Sequence, residues 1–266
     1  MEKTKIDWCD STWNPVTGCL HGCEYCYARG IAHRFSCEGK TLEAPAELQR
    51  IWINDSKGSG AGNHVLRYPV STEDGKKVPY PFGFAPTFYR YRLDEYKNKK
   101  GRNIFVCSMA DLFGEWVSDE WIEEVFEACE KAPQHNYLFL TKNPKRYEKM
   151  LDRYMPPNMW FGWSQTGPMG NKCDFTTHHS VKTFISIEPL LEPFEKFHIR
   201  GVDWVIVGAE TGRRKNKVVP ERMWIEDIVN ECKKNDIPVF MKSSLSGIWG
   251  EPLIQEFPKE LIKNEP

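Results

Sequence analysis

Trp204-Val205-Ile206-Val207-Gly208-Ala209-Glu210 is a short apolar run that closes on a glycine and then an acid. A run this short, rich in β-branched residues and bounded by a polar turn, reads as a buried strand. Working outward, the same pattern appears at Asn103–Ser108, Tyr137–Thr141, Trp160–Ser164, Thr183–Ile187 and Pro238–Met241. Their near-continuous apolar character predicts a sheet covered on both faces, hence parallel strands. Helical patterns fall between several of them. Ser118 is a cap for a helix reaching about Lys131, with Asp119 and Glu120 in its first turn and Trp121, Val125, Phe126 and Cys129 as its apolar stripe. Asn143-Pro144 opens another, with Tyr147, Met150 and Leu151 inward. Pro220 opens a third, burying Trp224, Ile225, Ile228, Val229 and Cys232. Strand and helix in alternation predict an α/β fold, as a βα barrel or an open parallel sheet.

The stretch from about 38 to 100 breaks the rhythm and predicts a long irregular insertion after the first helix. Gly58-Ser59-Gly60-Ala61-Gly62 lacks the Lys-Ser/Thr that would make it a phosphate loop, so it reads as a plain loop. Tyr80, Phe82, Phe84, Phe88, Tyr89 and Tyr91 are expected to pin the insertion to the rest of the fold, with a cleft lining as the other use. The whole of 1–266 is expected to be one domain, of a length that supports a large core.

Lys and Arg total 36 against 37 Asp and Glu, so the net charge of −1 offers no global field for nucleic acid. The basic runs Lys97–Arg102 and Arg213–Lys217 read as solvated loops. No apolar run is long enough to cross a membrane and no signal-peptide pattern stands at the N-terminus, so a cytoplasmic protein with no membrane partner is expected. Nine cysteines, an odd number, argue against a fully paired disulfide framework. Cys129 and Cys232 fall on apolar helix faces and are expected to be packing residues.

Cys19, Cys23 and Cys26 are different, for they form one Cys-x-x-x-Cys-x-x-Cys run flanked by Gly18 and Gly22. Three closely spaced thiols can hold one metal centre from a single loop. A cubane iron–sulfur cluster usually has a thiolate on each of its irons, so a loop with three leaves one iron open. A structural zinc site needs a fourth ligand, which His21, His33, Cys9 or Cys37 could supply. On the zinc reading the chain is a non-catalytic, zinc-binding interaction module on a degenerate barrel.

With the aromatic Tyr25 before the last cysteine, this run resembles the signature of the radical S-adenosylmethionine superfamily. The resemblance continues through Thr12-Trp13-Asn14-Pro15-Val16-Thr17-Gly18, Cys26-Tyr27-Ala28, Pro81-Phe82-Gly83-Phe84, Ser108-Met109-Ala110-Asp111-Leu112-Phe113 and Leu140-Thr141-Lys142. It ends with Ser186-Ile187-Glu188-Pro189-Leu190-Leu191 and Asp203–Glu210. Together these are similar to a phage-associated branch of that superfamily. Two departures are visible. Met241-Lys242-Ser243-Ser244 stands where that branch has Phe-Lys-Gln-Trp-Gly, and Ser108–Asp111 takes the place of the superfamily's Gly-Gly-Glu.

The resemblance implies a partial (βα)6-type barrel of parallel strands, with a [4Fe-4S] cluster held by Cys19, Cys23 and Cys26. S-adenosyl-L-methionine would bind the open iron, be cleaved reductively, and yield a 5′-deoxyadenosyl radical that takes hydrogen from a substrate. The electron would come from a donor such as flavodoxin or ferredoxin. The substrate would be a small molecule, or a nucleotide or nucleic-acid base.

Barrel enzymes place working residues at the C-terminal ends of their strands. Those ends hold Ser108 and Asp111, Thr141 and Lys142, Ser164 and Gln165, Glu188, Glu210 and Lys242. Every strand ends in something polar where it meets water, but Glu188 and Glu210 each follow a fully apolar run, and an acid there meets a cation or an open cavity. On the resemblance, Ser108 and Asp111 would bind the methionine amino group, Ser164 and Gln165 the ribose or carboxylate, and Tyr25 would lie near adenine. Lys142, Glu188, Glu210 and Lys242 would face the substrate or pair with one another.

Overall fold

The computed structural model describes residues 4–36, 42–43, 49–52, 62–152, 154–168, 181–194, 199, 201–212 and 214–262. Its first elements are β1 (Ser11–Trp13), β2 (Val16–Thr17), α1 (Tyr27–Arg34), β3 (Leu42–Glu43), β4 (Gln49–Trp52), β5 (Gly62–Leu66), β6 (Ser71–Thr72) and β7 (Thr87–Tyr89). There follow β8 (Asn103–Val106), α2 (Asp119–Glu130), β9 (Asn136–Thr141), α3 (Lys145–Met150) and β10 (Met159–Ser164). The last are β11 (Lys182–Ile187), β12 (Trp204–Val207), α4 (Arg222–Lys234), β13 (Val239–Met241) and α5 (Ser246–Trp249). One seven-stranded sheet runs β1-β8-β9-β10-β11-β12-β13. The architecture is therefore α/β, the class to which partial βα barrels belong, and each of the six apolar runs overlaps one of these strands.

The chain falls into two compact units, 1–11 with 102–104 and 136–266, and 12–101 with 105–135. In the first, β9 to β13 pair in parallel, with Gly162 beside Phe184 and Phe184 beside Trp204. Residues in register point to the same face, so Gly162, Phe184 and Trp204 share one. Trp8 packs there, 6.1 Å from Phe184 and 6.3 Å from Trp204 between ring centroids. Gly162 is what admits the Phe184 ring, because a Cβ on it would lie 2.5 Å from ring carbons. The outer edge of β13 is covered by the C-terminal segment, through Met241 N to Ile254 O at 2.7 Å and Glu256 N to Val239 O at 2.9 Å. That covering removes an exposed edge.

Helix α4 buries Ile225, Ile228, Val229 and Cys232. Trp224 is only half-buried, which corrects the expected stripe. Trp224 stands one residue before the first member of that stripe, and a turn of about 100° per residue puts it at the stripe's margin. In α3, Tyr147 and Met150 are buried as expected.

In the second unit, α2 begins as the sequence predicts, with Ser118 Oγ accepting from Trp121 N at 3.4 Å. It buries Trp121, Ile122, Val125, Phe126 and Cys129. Each large apolar side chain so buried contributes about 2 kcal/mol. The expected irregular insertion is more regular than its composition suggests. A four-stranded sheet runs β2-β7-β5-β4, and β3 pairs with β6. Most of Gly58–Gly62 lies outside the described residues. The aromatics of this region act as packing groups. Phe88 is fully buried 5.2 Å from Trp121, Tyr80 and Phe84 pack on Ala28, Ala32 and Met109, and Phe82 and Tyr91 pack on Leu66, Val70 and Tyr89. No described helix is long and apolar enough to cross a membrane.

Candidate functional site

The predicted residues fall into two sets, one in each unit. The cysteine loop belongs to the second. It leaves β2 at Gly18, whose φ of +87° and whose approach to the chain at Ala85 both exclude a side chain. A Cβ there would lie 2.3 Å from the Ala85 carbonyl oxygen. Gly18 N donates to Met109 O at 2.9 Å and Cys19 N to Phe84 O at 3.3 Å, so the loop starts against the segment that follows β8. It ends by capping α1, where Cys26 Sγ accepts from Arg29 N at 3.4 Å.

Cys19, Cys23 and Cys26 are half-exposed and none is in a disulfide. Burial pushes the Cys19 thiol up to about 12; a backbone hydrogen bond from His21 works against this, while the charges of Asp111, Cys23 and Cys26 add to it. Without metal, Cys19 keeps its proton, and metal binding must release it. The donor set fits a [4Fe-4S] centre in kind and number, with three free thiols on one short loop. Among the described residues, however, no group of three or more His, Cys, Asp or Glu is arranged to hold a metal ion. The sulfurs would have to draw together to take one.

The chain after β8 turns sharply. Cys107 holds a φ of +59°, unusual for a residue with a side chain, and Ala110 N closes the turn onto Cys107 O at 2.9 Å. This turn presents Ser108 to Asp111. Ser108 Oγ and Met109 N both donate to Asn14 Oδ1, at 3.2 and 3.0 Å. Tyr27 Oη donates to Ser108 O at 2.7 Å. Asp111 is buried, accepting from Phe113 N at 3.0 Å and meeting His21 Nε2 at 2.6 Å. Tyr25 is half-buried within the loop. Ser108 and Asp111 are therefore beside the cysteine loop. Asn14 and Tyr27 are contacts that sequence reasoning passed over as site residues, though both lie within the stretches that carry the resemblance.

In the first unit, register explains the strand-end set. Ser164, Ser186, Ile206 and Phe240 lie side by side on one face. Two residues on, Glu188, Gly208 and Lys242 continue that face at the ends of β11, β12 and β13. Lys242 Nζ pairs with Glu188 Oε1 across the intervening strand. Gly208 makes this possible, since a Cβ on it would lie 3.0 Å from Lys242 Cδ and 3.4 Å from Glu188 Cγ. Glu210 takes a different cation. Arg214 Nε and Nη2 each donate to one of its oxygens at 2.7 Å. That guanidinium holds the Glu210 carboxyl below its usual range, against the opposing effect of burial. Both acids that sequence reasoning singled out thus meet cations.

Lys142 is half-buried just beyond β9, and Ser164 is buried at the end of β10. Gln165 is buried too, its amide accepting from Trp163 Nε1 at 3.3 Å and donating to Gly167 O at 3.2 Å. The Ser186 hydroxyl is buried with no hydrogen-bond partner.

A family model described as protein of unknown function (DUF5131) matches residues 3–261. No curated protein and no solved structure matches the chain.

Proposed function

This chain belongs to the DUF5131 family of proteins of unknown function, and within it we propose a radical S-adenosylmethionine enzyme acting on a small molecule, a nucleotide or a nucleic-acid base. The observation that carries the reading is the cysteine loop, where three free, half-exposed thiols stand on one run beside Ser108 and Asp111. Cys19, Cys23 and Cys26 would hold a [4Fe-4S] cluster. The bound groups would supply one-electron reductive cleavage of S-adenosylmethionine and hydrogen abstraction from the substrate.

The chain's own part is to bind, orient and protect. Asn14 holds the turn at Ser108 and Met109, which would receive the amino group of S-adenosylmethionine together with Asp111. Ser164 and Gln165 would serve the ribose or carboxylate, and Tyr25 the adenine. The Glu188–Lys242 pair, with Lys142 and Glu210, would meet the substrate; Glu188 and Lys242 balance each other's charge, and Arg214 balances that of Glu210. The strands would form a partial barrel of six βα units in one domain. Flavodoxin or ferredoxin would supply the electron, in a reducing cytoplasm.

Anaerobic reconstitution with iron and sulfide tests the reading. About four irons per chain, with absorption at about 400 nm that Cys23→Ala abolishes, is the expected result. Dithionite and S-adenosylmethionine should then give 5′-deoxyadenosine. Stoichiometric zinc with no iron would replace the enzyme by the zinc-binding interaction module.

A further inference from the structure

The cysteine run is tied to a single four-residue segment, Ser108–Asp111, at three points. The first tie precedes the cysteines, from Gly18 N to Met109 O at 2.9 Å. The last follows them, from Tyr27 Oη to Ser108 O at 2.7 Å. The middle tie lies between Cys19 and Cys23, where His21 Nε2 meets Asp111 Oδ2 at 2.6 Å. Both outer ties end on backbone carbonyls. Only the middle one joins two side chains, so only it depends on residue type at both ends.

Both partners of the middle tie are held in place. Asp111 is 5 % exposed, and its other oxygen accepts from Phe113 N at 3.0 Å. The His21 ring stands edge-on to Trp116, with centroids 4.8 Å apart. A hydrogen bond to a carboxylate at this length belongs to the strong, charge-assisted kind. Gly22 follows His21 at a φ of +74°, a backbone conformation that favours glycine.

We propose that His21 and Asp111 form a latch that sets the position of Cys19 relative to Cys23 and so prepares the loop to take its metal group. The inference rests on the reading of this loop as the metal-binding element. His21 is thereby a positioning residue, acting through the cysteines on either side of it.

The test uses the full metal-free chain and a maleimide, with labelling of each cysteine followed by mass spectrometry at fixed pH. Opening the latch in His21→Ala, which leaves the Asp111 charge in place beside Cys19, should speed labelling of Cys19 and Cys23 on the order of tenfold, the factor one such hydrogen bond confers. Cys129 and Cys232, both fully buried helix residues, should keep their rates and so exclude general unfolding. His21→Gln, whose amide can still donate to Asp111, should restore slow labelling. Rates in His21→Ala equal to wild type, or His21→Gln as open as His21→Ala, would overturn the latch. Iron uptake gives the second readout. Reconstituted His21→Ala should carry severalfold less iron than wild type and His21→Gln near the wild-type amount. A wild-type chain that takes up no iron sinks the cluster reading instead, and the labelling alone then decides the latch.

Discussion

The cysteine loop and the strand ends of the sheet hold their polar groups in different ways. At the ends of β11, β12 and β13 the backbone register does the work. Glu188 and Lys242 meet because their strands flank Gly208, and the positions follow from a regular ladder. The loop has no ladder. Its shape comes from separate ties to the turn after β8 and from one glycine pressed onto Ala85. A ladder spreads a perturbation over many hydrogen bonds. A tied loop concentrates it on a few residues, so single substitutions there should act more strongly and more locally.

The sharpest way to break the comparison is Gly18→Val. A side chain at that φ, overlapping the Ala85 carbonyl, should cost about 3 kcal/mol or more, read as a fall in the urea midpoint. It should also abolish iron uptake. A variant with unchanged midpoint and full iron content would show that the loop does not depend on its seat.

The corresponding change at the strand ends should be milder. Glu188→Ala leaves the Lys242 ammonium without its partner at a site 15 % exposed for the lysine side chain and 26 % for the glutamate. Partial exposure limits the cost to about 1–2 kcal/mol. A double-mutant cycle with Lys242→Met measures the coupling; a value near zero would mean that the pair is decorative. Gly208→Val should give the same loss with both charges present, because the new side chain would push the lysine stem aside.

Smaller still is the acid dependence of the Glu210–Arg214 pair. The folded-state pKa of Glu210 is lowered, so its stabilisation is present above the unfolded value of 4.5 and is lost as pH falls through the folded one. Arg214→Met should therefore flatten the stability profile below pH 4.5, compared with wild type, in urea titrations. At the other end of the scale, burial pushes the Cys232 thiol up to about 12 from 9.0. The unfolded chain loses that proton first, so stability should fall as pH rises above 9 toward 12. Cys232→Val should remove part of that slope; an unaltered slope would assign it to other groups, such as Cys107, raised by burial to about 12 as well.

Much of the fold was legible in the sequence where the signal was local. The β-branched run at Trp204 and its counterparts marked the strands, and Ser118 with Asp119 and Glu120 marked the start of α2. The strands between Leu42 and Tyr89 were not legible. They are two to five residues long, and several are too short to show an alternation. Trp224 looked like core because an indole carries a large apolar signal wherever it stands, and its half-burial depends on what covers α4.

The candidate site divides along the same line. The sequence by itself determined the spacing of Cys19, Cys23 and Cys26, the glycines around them and the positions of the strand-end acids, because spacing, turns and apolar runs are properties of neighbouring residues. Which groups meet was decided only in the tertiary structure. His21 finds Asp111 at a separation of 90 residues, and Glu188 finds Lys242 at 54, over a glycine that belongs to neither strand. A hydrogen bond or ion pair between side chains depends on where two backbones are brought, and that is fixed by packing and register far from either residue.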